Sequence, residues 1–357
     1  MKLYESKHYI NEVAASAKAA LPWGRLQGKK VAITGATGMI GSFLIDVLMY
    51  RNTKMNQQTD VYAIGRSKQR LEERFAPYVE SSAYHSVEWD INEPFDLAVW
   101  ENTCVDYLIH GASNTHPVAY ASDPIGTISA NVIGTDNLLK LATKIGNPRF
   151  VFLSSVEIYG ENRGDTDSFA EDYLGYIDCN TLRAGYPESK RTGEALCQAY
   201  KKQMGLSVVI PRLSRVYGPT MLMSDTKALS QFILKGVEGE DIVLKSEGTQ
   251  LFSYSYVADA VTAICKIMLD GSDGAAYNIV SKESNVRLRD LASHIADYTG
   301  KKVIFELPNA TEQAGFSKAT KATLNVEKLC KLGWESQYDI VTGLQHTIDI
   351  LRDCQNA

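Results

Sequence analysis

Lys30-Val31-Ala32-Ile33-Thr34 runs straight into Gly35-Ala36-Thr37-Gly38-Met39-Ile40-Gly41. The first five residues form a short apolar run that reads as a buried strand. An apolar helix, Ile40–Tyr50, follows the glycines. Gly35 permits a tight turn, Gly38 lets backbone approach a pyrophosphate, and Gly41 lets the helix pack closely on the strand. Around Thr37, Met39 and Ile40 the helix start offers free N–H groups and a positive dipole end to phosphate oxygens. The plain alternative is a glycine-rich turn that holds no ligand. Its position at the head of a long strand–helix alternation selects a dinucleotide site.

That alternation continues outward from the turn. Strands are expected at Asp60–Ile64, Val87–Ile91, Tyr107–His110, Arg149–Leu153 and Ser207–Ile210. Helices are expected at about Asp123–Ile145 and Tyr186–Met204. Short, nearly continuous apolar strands alternating with helices imply a parallel sheet covered on both faces. The fold class is therefore α/β: a Rossmann-type doubly wound parallel sheet with a smaller C-terminal substrate-binding lobe. The expected division is a polar, partly helical leader over 1–28, a dinucleotide-binding domain over 29–218 with 256–275 returning to it, and the smaller lobe over 219–255 and 276–357. The tail carries helical patterns at Leu288–Tyr298 and Asp339–Arg352.

With 357 residues, 45% hydrophobic and 22% charged, the chain has ordinary globular composition and more length than one core needs. A net charge of −5 leaves no basic surplus for a nucleic-acid backbone. Six dispersed cysteines show no metal-ligand spacing, so no metal is expected, and they suit a reducing compartment. No stretch approaches the roughly 18–20 apolar residues of a membrane span. A cytoplasmic location is expected.

The second strand ends Ile64-Gly65-Arg66. An acid usually stands there when the ligand is NAD. Glycine followed by Arg66 suits the 2′-phosphate of NADP, with NAD as the alternative; a solvated Arg66 is the plain reading. Asp90 and Ile91, ending the third strand, are candidate adenine contacts, or Asp90 is an ordinary loop aspartate.

Tyr186-Pro187-Glu188-Ser189-Lys190 puts a phenol and an ammonium four residues apart, on one helix face. A nearby lysine favours phenolate, which can take a proton from an alcohol as hydride leaves. Tyr50/Lys54 and Tyr298/Lys302 share the spacing but follow no serine-ended strand. Tyr186 comes about thirty residues after Leu153-Ser154-Ser155-Val156-Glu157, where a strand delivers hydroxyls to the sheet's carboxyl edge. Ser155 is the expected hydroxyl, with Ser154 in reserve; both also fit simple turn chemistry.

These segments resemble the NAD-dependent epimerase/dehydratase family, the extended short-chain dehydrogenases. The resemblance extends to Arg212-Leu213-Ser214-Arg215-Val216-Tyr217-Gly218-Pro219, Tyr256-Val257-Ala258-Asp259 and Leu332-Gly333-Trp334. Within the family, Ala112-Ser113, Pro117, Tyr120, Pro124, Thr127, Asn131 and Gly134-Thr135 resemble the UDP-glucuronate decarboxylases in spacing. The resemblance implies oxidation of a sugar hydroxyl to a ketone, followed by reduction from the other face, loss of CO2, or elimination. It implies Ala112 and Ser113 beside the cofactor, and a homodimer formed by the helices containing Asn131–Ile145 and Tyr186–Met204.

The departures concern the substrate. Val156 stands where dehydratases have an acid and decarboxylases a serine. Phe252 stands where decarboxylases have an arginine, and Arg215 where the family has asparagine. Arg215 either restores the charge lost at 252 or marks a reshaped pocket. Glu157 is a candidate acid/base or hydroxyl-binding group, or a turn cap. Asn114 and His116 are candidate substrate contacts, with His116 equally readable as a loop histidine. The expected function is an NAD(P)-dependent epimerase acting on a nucleotide-activated sugar or polyol through a transient keto intermediate. Decarboxylation of a nucleotide-linked uronic acid, simple NADP-dependent reduction, and a non-catalytic dinucleotide sensor are the alternatives.

Overall fold

The computed structural model describes residues 2–100, 103–115, 122–306 and 319–356. Its strands are β1 Lys29–Thr34, β2 Thr59–Gly65, β3 Tyr84–Glu88, β4 Tyr107–His110, β5 Arg149–Phe152, β6 Ser154–Ser155, β7 Val208–Leu213, β8 Arg215–Tyr217, β9 Ile242–Leu244, β10 Leu251–Tyr256, β11 Ala276–Ile279, β12 Asn285–Arg287, β13 Val303–Phe305 and β14 Lys321–Ala322. The main sheet has the order β11-β7-β5-β4-β1-β2-β3, with β6 continuing beside β7. Every pairing in it is parallel. The order reverses between β1 and β4, which opens a crevice at their carboxyl ends, where such sheets bind ligands.

Alternation along the strands distributes the core. Val31, Ile33, Ile109, Val151 and Val209 belong to one buried cluster, whereas Ala32, Leu108, Phe150 and Val208 belong to the other. Both faces are covered, which is why the strands read as continuous apolar runs. Helices Met39–Lys54 and Val257–Asp270 pack together in one layer, and helices Pro124–Ala142 and Gly185–Met204 pair in the other.

The smaller lobe holds a four-stranded sheet, β12-β10-β14 with β8 beside β10, and the two-stranded pair β13-β9. Helices Ala228–Glu238, Leu288–Thr299 and Ile340–Asn356 pack in this lobe. Residues 276–279, read from the sequence as part of this lobe, instead form β11 at the outer side of the main sheet, paired with β7. The third strand lies a few residues earlier than its apolar pattern suggests. Ile91 is buried beyond the strand end, where Gly134 of the helix Pro124–Ala142 leaves room for its side chain.

The N-terminal residues are a packing element. Ser6 caps the helix Lys7–Ala17 by accepting from the Tyr9 backbone N–H. Tyr9 and Tyr4 donate to the buried carboxylate of Asp46, which also pairs with Arg74 at 2.6 Å. Glu12 accepts from Tyr338 at 2.9 Å and meets His346 at 3.1 Å, and Ser6 donates to Asp353 at 2.6 Å. The helix thus ties the helix behind the glycine turn to the C-terminal helix.

Candidate active site

The crevice begins at the glycine turn. Gly35 has φ +69°, and a Cβ there would stand 2.8 Å from the backbone of Gly111 and Ala112. A Cβ at Gly41 would press into the Gly35 carbonyl. Gly38 caps the following helix without a side chain, so the first N–H groups of that helix face no capping oxygen. Thr34 closes the turn against the next loop: its hydroxyl accepts from the Gly111 and Ala112 N–H groups, each at 3.2 Å, and meets His110 Nδ1 at 3.0 Å. His110 Nε2 meets Thr135 at 3.0 Å, and burial holds this imidazole well below its ordinary pKa. The missing side chains and the bare helix start fit the diphosphate of a nicotinamide dinucleotide.

Arg66 is exposed at the carboxyl end of β2, where Gly65 leaves no acid. Asp90 accepts from the backbone and side-chain N–H groups of Asn92, closing its own turn. Ala112, Ser113 and Asn114 are half-buried in the loop after β4. His116 lies outside the described residues.

The second group sits at the end of β6. The Ser155 hydroxyl lies beside the Tyr186 phenol, and its Oγ accepts from the Glu157 N–H at 3.2 Å. Lys190 Nζ donates to the Leu153 carbonyl at 2.9 Å and lies 6.0 Å from the centre of the Tyr186 ring. Gly193 allows the helix Gly185–Met204 to lie against the Phe152 ring, setting the depth of Tyr186 and Lys190. Asn131 locks that helix to its neighbour: it accepts from Ser113 at 2.7 Å and donates to Ser189 at 2.9 Å.

Burial pushes the Tyr186 phenol well above its ordinary pKa; the Ser155 hydrogen bond opposes this and the charge of Glu157 adds to it. In this packing burial outweighs the other groups that act on the phenol. Lys190 is brought down to about 8, also by burial, with Glu194 and Cys197 opposing. Ser154, the reserve hydroxyl, is engaged elsewhere. It donates to Glu194 at 2.6 Å, and Glu194 is held by Arg212 at 2.7 Å.

The third group lies across from the serine. Glu157 Oε1 is 3.3 Å from Arg215 Nη2, and Oε2 is 3.9 Å from Arg183. The Arg215 guanidinium lies 3.6 Å over the centre of the Phe252 ring. Strand pairing explains the stack: Arg215 registers with Tyr254, and Phe252 sits two residues earlier on the same strand face. Val156 is buried in the core and presents no polar atom. Sequence reading missed Arg183, Glu194 and the Thr34–His110 contact. A hydroxyl residue at the end of β1 was the available signal for Thr34; Arg183 and Glu194 carry none.

The family model for the NAD dependent epimerase/dehydratase family matches residues 31–280. UDP-glucuronic acid decarboxylase 1 of Xenopus tropicalis is 30% identical over 91% of this chain and 72% of its own length. UDP-glucuronic acid decarboxylase 5 of Arabidopsis thaliana is 29% identical over 88% of this chain and 87% of its own. Among solved structures, dTDP-glucose 4,6-dehydratase of Streptomyces venezuelae, bound to NAD, has a TM-score of 0.77 at 23% identity over 92% of this chain and 98% of that one. UDP-glucuronic acid 4-epimerase of Bacillus cereus, bound to UDP-glucuronic acid and NAD, has a TM-score of 0.75 at 22% identity over 92% of this chain and 100% of that one. The match over most of the chain, joined to the glycine turn and the serine–tyrosine–lysine group, makes this protein an enzyme of the NAD dependent epimerase/dehydratase family, the extended short-chain dehydrogenases.

Proposed function

We propose that the protein is an NAD(P)-dependent epimerase acting on a nucleotide-activated sugar or polyol through a transient keto intermediate. The Ser155 hydroxyl beside the Tyr186 phenol, with buried Lys190 one helical turn on, carries this reading. When bound, the nicotinamide accepts and returns the hydride and brings a positive charge toward the phenol. Tyr186 takes the proton of the reacting hydroxyl, and Ser155 holds the oxygen that becomes the ketone. The proton returns through Tyr186 when the ketone is reduced on its opposite face. Gly35, Gly38, Gly41 and the helix start would hold the diphosphate. Exposed Arg66, following a glycine where an acid usually stands, supports NADP, with NAD as the alternative.

Epimerisation asks only that hydride and proton leave and come back. That suits a site where buried Val156 offers no further proton donor. The relatives' names favour a second reading, decarboxylation of a nucleotide-linked uronic acid. Incubating the protein with UDP-glucose and UDP-glucuronate and following products by NMR separates the two. A sugar inverted at one carbon with all carbons retained supports the first; release of CO2 replaces it with the second. Mass spectrometry of the denatured protein identifies the dinucleotide.

A homodimer through the helices Pro124–Ala142 and Gly185–Met204 is part of the proposal. Ile125, Ile128 and Ile133 stand exposed on the first of these helices. A monomer in light scattering at micromolar concentration removes that part. Six free thiols support a cytoplasmic location. Among the described residues no helix is long and apolar enough to cross a membrane.

A further inference from the structure

We propose that Glu194 is a positioning residue for the reaction: fixed by Arg212 and Ser154, its carboxylate keeps the buried Lys190 ammonium charged beside Tyr186. The proposal deepens the proton-transfer reading above and rests on it. Its starting point is a buried cation with a carboxylate one turn further along the same helix. Lys190 and Glu194 are four residues apart and share a helix face. Both side chains reach the end of the same strand segment, at consecutive residues. Lys190 Nζ donates to the Leu153 carbonyl at 2.9 Å, and Glu194 Oε1 accepts from the Ser154 hydroxyl at 2.6 Å. A guanidinium fork fixes the carboxylate. Arg212 donates from Nε to Oε1 at 3.0 Å and from Nη2 to Oε2 at 2.7 Å. Strand register sets this up, because Ser154 of β6 pairs with Arg212 of β7. Arg212 is anchored in turn through Nη1, which donates to the Glu171 carbonyl at 2.7 Å and the Tyr159 hydroxyl at 2.9 Å.

A buried ammonium gives up its proton more readily unless an opposite charge stands near it. Burial brings Lys190 down to about 8, and Glu194 is first among the groups that oppose this. Its other titratable neighbours are neutral or engaged elsewhere. On its own helix, burial keeps the Cys197 thiol and the Tyr186 phenol protonated. From β4, burial keeps His110 neutral, and the charge of Lys190 adds to that effect. From β7, Arg212 is committed to Glu194. Beyond the end of β6, Glu157 faces Arg215 and Arg183. Glu194 is therefore the carboxylate that supports the ammonium. That charge matters because Lys190 Nζ lies 6.0 Å from the centre of the Tyr186 ring. A cation there favours the phenolate that takes the substrate proton, against the burial that opposes it.

NMR titration of the full-length protein carrying lysine labelled with carbon-13 at Cε tests this, with the Lys190 signal assigned by its loss in Lys190→Met. Glu194→Gln keeps the size and a hydrogen-bonding oxygen but removes the charge, and the Lys190 midpoint should fall by about one pH unit or more. Arg212→Gln releases the carboxylate from its fork, and the midpoint should rise. Glu194→Asp keeps the charge on a shorter arm and should recover part of the shift. A purely structural role for the pair predicts no such opposition of sign. An unchanged midpoint in Glu194→Gln, or a fall in both variants, overturns the proposal. Where Glu194→Gln does not fold, Arg212→Gln decides: a rise supports the proposal, and anything else overturns it. Turnover reads the consequence for the reaction. The alkaline fall of the pH profile should move with the Lys190 midpoint in each variant; a profile that only loses height overturns the positioning role. Absence of turnover with any nucleotide sugar in the wild type is a different result. It removes the functional reading above, while the NMR titration still decides whether Glu194 holds the charge of Lys190.

Discussion

At the glycine turn, Gly35, Gly38 and Gly41 fall within seven residues of sequence, and the surface they present is bare backbone. At the opposite end of the crevice, Glu157, Arg183, Arg215 and Phe252 come from four separate segments and meet through side chains. The first region works by what is missing, since any side chain at Gly35 or Gly41 would occupy the space of the turn. The second works by charge and stacking, and one substitution there can be answered by another across a strand pair. The two regions should therefore respond differently to mutation.

The largest effect is expected where the two regions join. Tyr186→Phe removes the proton carrier and should lower turnover by about 10²–10⁴-fold while dinucleotide binding is retained. Single-turnover hydride transfer measures this; unchanged activity would leave the dinucleotide-sensor reading in its place. Gly41→Ala tests the bare-backbone region. The new methyl meets the Gly35 carbonyl, so a stability loss of about 1–3 kcal/mol is expected, together with weakened dinucleotide binding. Denaturant unfolding with and without NAD checks it, and an unchanged midpoint would show that the turn has slack.

Arg66→Ala should reduce NADP affinity about tenfold and leave NAD affinity unchanged, read by fluorescence titration. Equal affinities before and after would place Arg66 in solvent and return the cofactor choice to NAD. The smallest effect concerns Lys190, which burial brings to about 8 from 10.5. Between those values the unfolded chain binds a proton that the folded protein has released, so stability from this residue rises with pH across the window. Below it the cost of burying the charge is fully present. Lys190→Met should therefore be more stable than wild type at neutral pH by about 1–2 kcal/mol, and the gap should narrow as pH rises from about 8 toward 10. Melting curves of the two proteins decide; parallel curves would mean the ammonium is better solvated than its burial suggests.

Much of the fold was legible because its signals are local. The β4 boundaries Tyr107–His110 and the helix Leu288–Thr299 follow directly from short apolar runs and helical periodicity. β3 was displaced because Ile91 belongs to a packing contact with Gly134 rather than to a strand. The N-terminal helix read as polar because its buried face uses Tyr9 and Glu12, whose partners lie far along the chain, together with Ser16. Ser154 and Ser155 are indistinguishable as letters; pairing Glu194 with Ser154 leaves Ser155 to face Tyr186.

By itself the sequence determined the doubly wound sheet, the glycine turn, the spacing of Tyr186 and Lys190 and the family, because each depends on residues close together or on a repeating period. Only the tertiary structure decided that Arg215 lies on Phe252 and pairs with Glu157, that Ser154 is engaged by Glu194, and that the N-terminal helix joins the two lobes. Those contacts depend on strand register and helix packing between distant segments, and no spacing along one chain encodes the distance between them.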